Sequence, residues 1–143
     1  MRQYQRTFLL SISIGVLLAL SLGMKAQTMF PANVGDKMKY TFTIDMPKVH
    51  FDGICILYYS TDGVVRGSLF NEFGISAFDF SYYPDRDKVK LHHVIKMMDK
   101  WYIRSVLRHD LRKLTHELQQ GRNKYVNKKR HIKYQFTYLN DEE

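Results

Sequence analysis

The chain has 143 residues, 22 Lys and Arg against 14 Asp and Glu, a net charge of +8, and 45% apolar side chains. Its single cysteine, Cys55, excludes an intrachain disulfide, and the apolar run around it predicts a buried thiol, not a reactive one. Searching for catalytic signatures finds no Gly-x-Ser-x-Gly elbow, no His-Glu-x-x-His, no phosphate loop and no Cys-x-x-Cys, so the sequence points away from an enzyme.

Arg2 and Arg6 precede Phe8 to Leu22, a run of apolar and small residues broken only by serines. A spanning helix needs about 20 apolar residues, so this run is short for a membrane anchor. It predicts a secretory signal peptide over residues 1–26, cut after Gly23 or after Ala26. The alternative is an uncleaved anchor. Export leaves 117 residues, residues 27–143, enough for a single α+β domain. Charge is uneven within them: Gln27 to Tyr83 has a net charge of −2, Pro84 to Lys133 +10 and the last ten residues −3. On an exported chain a basic half points to anionic lipid headgroups or acidic glycans; nucleic acid is not the expected partner.

Taken in order, Lys37 to Asp45 alternates, with Met38, Tyr40, Phe42 and Ile44 on one face, and predicts a half-buried strand. Pro47 ends it. His50 to Ser60 predicts a second strand, with Gly53 as a place for a bulge or bend. Asp62-Gly63 is a tight-hairpin signal. Val65 to Tyr83 reads as two strands joined by a turn at Asn71 to Gly74, and Lys88 to Lys96 as a fifth, with Val89, Leu91, His93 and Ile95 on one face. The period then changes. Asp99 is the candidate N-cap of an amphipathic helix carrying Ile103, Leu107, Leu111, Leu114 and Leu118, which ends near Gly121. A basic loop leads to a sixth strand containing Ile132, Tyr134, Phe136 and Tyr138, before an acidic tail. The expected architecture is a curved antiparallel meander of about six strands on one long helix, half-barrel-like. Strands two and four look apolar on both faces, and one helix covers only one face of a sheet. Something else must cover the rest: the sheet's own curvature closing over a groove, a partner subunit, or an acyl chain.

Several side chains are candidates for chemistry. Lys100, Arg104, Arg108 and Arg112, followed by His116, recur every four residues, and on a helix such like charges stack and repel. The stripe is either a solvated face or a contact for anionic headgroups or an acidic partner, with Arg122 to Lys133 extending it. Trp101 beside it suits either core packing or a membrane interface. His109 and His116 share a helix side near Asp110 and Glu117, but spacing supplies no complete ligand set, and no metal or cofactor is expected.

The segment Arg66-Gly-Ser-Leu-Phe-Asn-Glu-Phe-Gly74, followed by Phe78-Asp-Phe80, the strand Lys88 to Ile95 and the helix Trp101 to Leu118, resembles the lipoprotein-sorting carrier and receptor fold of Gram-negative envelopes. That resemblance implies an opened, strongly curved sheet around helices, whose hollow receives lipoprotein acyl chains. It implies Leu69, Phe78, Phe80 and Tyr82 as ligand-lining residues and a periplasmic or outer-membrane-associated location. The expected function is therefore non-enzymatic binding of lipid or a lipid-modified protein, with an anionic membrane surface as a further partner. The alternative is a protein-interaction or homodimerising module that uses an exposed sheet face.

Overall fold

The structure is a computed structural model that describes residues 29–140; the expected signal peptide and the acidic residues 141–143 lie outside it. The described residues form seven antiparallel strands and one α-helix in this order: β1 Lys37–Asp45, β2 His50–Tyr59, β3 Val65–Phe70, β4 Ser76–Tyr83, β5 Lys88–Val94, a single 3-10 turn Lys96–Met98, α1 Trp101–Gln119, β6 Lys124–Asn127 and β7 Ile132–Tyr138. The sheet order is β5-β4-β3-β2-β1-β7-β6, so the first five strands form the expected meander and the C-terminal pair adds to the free side of β1. The α+β half-barrel built on one helix is therefore as the sequence predicts.

The sheet curls because its strands carry irregularities. Registers shift between Leu69 and Phe70 in the β3–β4 pair and between Phe78 and Phe80 in the β4–β5 pair, and such extra residues bend a strand. Gly53 adds a close approach: a Cβ there would lie 1.9 Å from the Phe70 carbonyl oxygen. Curling brings both edge strands, β5 and β6, against α1, which closes the gap between them. Leu107, Leu111, Leu114 and Leu118 enter from the helix and meet Tyr40, Phe42, Leu57, Phe78, Phe80, Tyr134 and Phe136 in one continuous core. Each fully buried leucine contributes roughly 1.5–3 kcal/mol of apolar transfer, so the helix is held mainly by this stripe.

Polar contacts lock it in place. Asp110, fully buried on α1, accepts hydrogen bonds from Asn127 of β6 at 2.9 Å and from the Tyr134 hydroxyl of β7 at 2.6 Å. At the other flank, Asp87 in the β4–β5 turn accepts from the Tyr82 hydroxyl at 2.9 Å and pairs with His116 of α1 at 2.5 Å. The helix ends as expected. Gly121 has φ of 77°, and the amides of Gly121 and Arg122 donate back to the carbonyls of Leu118 and Glu117.

Three local expectations are corrected. Asp99 is not the helix N-cap: Lys100 occupies that position without a side-chain cap bond, and the Asp99 carboxylate is taken by Arg104 at 2.5 Å. Val94, not His93, follows Leu91 into the core, because the bulge opposite Phe78 and Phe80 inserts a residue and leaves His92 and His93 both exposed. The stretch read as a basic loop contains β6, whose Tyr125 faces Tyr134 across the β6–β7 pair.

Candidate functional site

The four residues expected to line an open groove are interior. Leu69, Phe78, Phe80 and Tyr82 are 0–3% exposed and belong to the same core as the α1 leucines. The helix occupies the hollow that the resemblance assigned to acyl chains. Gly67 contributes to this sealing: a Cβ there would lie 2.3 Å from the Phe80 ring, so the absent side chain is the space that the ring fills. On the outward face Ser81 of β4 is buried, with Arg66 of β3 at 3.4 Å and His92 of β5 at 2.6 Å, whereas Ile54 and Ile56 of β2 are half-buried and Tyr58 is exposed. That Ser–His pair has its hydroxyl shut away from solvent, and a nucleophile needs access to its substrate.

The cationic series is partly neutralised. Arg104 pairs with Asp99, while Arg112 at 3.6 Å and His116 both face Asp87, so the repulsion implied by the spacing is relieved. These contacts draw both carboxyl groups below the usual range, with His116 the largest influence on Asp87 and Arg104 on Asp99. Among the described residues, Lys100 and Arg108 have no ion-pair partner. His109 and His116 do not converge. The first contacts Asp110 at 3.1 Å and the second Asp87, and no group of three metal-binding side chains occurs among the described residues.

What the sequence did not reveal is how the registers gather exposed apolar side chains at one end of the sheet. Asp45 pairs with His50 and with Lys133, which places the β1–β2 and β6–β7 turns together. Ile54 opposite Phe70 brings the β3–β4 turn to that end, and Phe78 opposite Val94 brings the exit of β5, the 3-10 turn and the start of α1. Of the ten large apolar side chains exposed among the described residues, six lie in these turns and at the start of α1: Val49, Phe73, Ile75, Met97, Trp101 and Tyr102. Phe73 is 79% and Trp101 80% exposed, and the Trp101 and Tyr102 rings meet edge to face at 5.7 Å. Exposed Lys48, Lys96, Lys100, Lys128, Lys129 and Arg130 share this end, and none of the six forms an ion pair among the described residues.

Beside Tyr102 a small apolar slot of about 160 Å³ opens between Met46, Pro47, Ile103 and Val106, with Arg130 at its margin. Small-molecule sites occupy about 300–1,000 Å³, so this slot accommodates a single apolar side chain or the end of an acyl chain. No described helix is long and apolar enough to cross a membrane. Comparisons with family models, curated proteins and solved structures find no match to this chain.

Proposed function

We propose that this chain is a non-enzymatic exported envelope protein that docks on an anionic membrane surface through the apolar and basic end of its half-barrel. There it meets lipid or a lipid-modified protein, a role that accords with lipoprotein sorting. The observation that carries this reading is the coincidence of Trp101, Tyr102, Met97 and Phe73, all exposed, with six cations that have no described carboxylate partner. An indole at the boundary of headgroup and acyl chain keeps its apolar ring in the boundary layer and its N–H in water. Each Lys or Arg close to an anionic surface adds about 1 kcal/mol, an attraction that salt screens. On this reading lipid meets the outside of the fold, at a rim, because the hollow of the sheet is filled by α1.

Cosedimentation with phosphatidylcholine vesicles, with and without phosphatidylglycerol, tests the proposal. Binding is expected only to the anionic vesicles, to weaken as salt is raised, and to fall about tenfold in Trp101→Ser, which removes one interfacial ring. Equal binding to both vesicle types, or none at low salt, would contradict it. The slot beside Tyr102 favours a second reading, a protein-interaction or homo-oligomerising module that inserts one apolar side chain there. That reading predicts a concentration-dependent mass, abolished in Val106→Asp.

A further inference from the structure

A second charged feature lies away from the apolar end, on the flank where β5 meets the helix. Tyr83 from the end of β4, Arg86 from the β4–β5 turn, Lys88 and Lys90 from β5, and Arg108 from the middle of α1 line a cleft of about 540 Å³ together with Val89. Four of these six residues are cations and none is acidic. The turn carboxylate Asp87 is engaged by Tyr82, His116 and Arg112 and forms no ion pair with Arg86, Lys88, Lys90 or Arg108. Arg86 lies over the Tyr83 ring at 4.8 Å, which holds its guanidinium beside the cleft, with only a 3.9 Å contact to Asp85.

The four cations are exposed and screened by solvent, and an anion shared among them would gain from all four at once. Lys88 and Lys90 lie two residues apart on one strand, so both project from the same face, and Arg108 approaches from a different element. Like charges converging from a turn, a strand and a helix repel one another, whereas a dianion between them accepts several charge-assisted hydrogen bonds at once. Guanidinium groups suit phosphate in particular, because their paired N–H donors match its oxygens. The volume falls within the range of small-molecule sites and is larger than a single chloride requires. We propose that this cleft binds a phosphate-bearing ligand, with Arg86 and Arg108 as its paired donors, Lys88 and Lys90 as supporting charges and the Tyr83 hydroxyl at its wall.

Phosphate could come from a soluble compound or from a lipid headgroup, and titration of the purified chain separates the two. Inorganic pyrophosphate, followed by calorimetry at constant ionic strength, is expected to bind saturably. Replacing both arginines (Arg86→Gln with Arg108→Gln) should weaken it about tenfold or more, since two charge-assisted contacts are lost. The charge-matched pair Lys128→Gln with Lys129→Gln should change it by less than about twofold, because those side chains lie on another turn and act only through screened solvent. Trp101→Ser should leave pyrophosphate binding intact, which separates this cleft from membrane docking. If free pyrophosphate does not bind, but the double arginine variant loses a preference for phosphatidic acid vesicles over phosphatidylserine vesicles, the phosphate is a headgroup. Absence of both effects, or equal weakening by the two charge-matched pairs, would overturn the proposal.

Discussion

Gly67 and Asp87 each hold a position that another residue would not serve. At Gly67 a single added methyl would lie 2.3 Å from the Phe80 ring and 2.9 Å from a Leu57 methyl. Overpacking of this kind costs typically 1–3 kcal/mol, so Gly67→Ala should lower the urea midpoint by a corresponding amount. An unchanged midpoint would show that the ring has room to move. Asp87 has left-handed backbone, with φ of 48°, and its carboxyl is held below the usual range, first by His116 and then by Tyr82 and Arg112. A depressed folded-state value stabilises the protein above the ordinary carboxylate value of about 3.9 and is lost as pH falls through the lower one. Asp87→Asn should therefore flatten the loss of stability below about pH 4, measured by denaturant titration across that range. Neither role is legible in the sequence, because Phe80 lies far from Gly67 along the chain and His116 far from Asp87.

Among the elements, those whose signal is local were legible. The alternation of β1, the Asp62-Gly63 hairpin and the leucine period of α1 all depend on neighbours within a few residues, and the structure has each where the sequence puts it. The misses required distant partners. β6 has four residues and is defined by its pairing with β7, and the β5 bulge is defined by the spacing of Phe78 and Phe80 on the adjacent strand. The junction of α1 with β6 and β7 also depends on Asp110, whose burial no polar helix residue announces in sequence. Asp110→Ala would leave the Tyr134 hydroxyl and the Asn127 amide without their acceptor. Losing hydrogen bonds to a buried charge costs about 1.5–3 kcal/mol each, so this variant should be among the most destabilised of single helix substitutions. Thermal unfolding followed by circular dichroism measures it, and a Tm near that of the unaltered chain would argue that the network is dispensable.

At the scale of the whole molecule, β2 and β4 read as apolar on both faces, which is more than one helix can hide. On the concave face nothing is surplus, because a sheet that curls offers that face to a helix from nearly all sides, and α1 meets both of its edges; on the convex face Ile54 and Ile56 of β2 are half-buried and Tyr58 is exposed. Apolar surface is also left over at the turns, where strand register puts Phe73 at the same end of the sheet as Met97, Trp101 and Tyr102. The basic character was visible in the charge distribution; its division between an apolar rim and a separate cationic cleft was not. Trp101 is the only tryptophan in the chain, so its emission reports on this rim alone. On addition of anionic vesicles the account predicts a shift of that emission to shorter wavelength and protection from an aqueous quencher, both reversed by high salt. Vesicle binding with the emission and the quenching of Trp101 unchanged would contradict docking through this end.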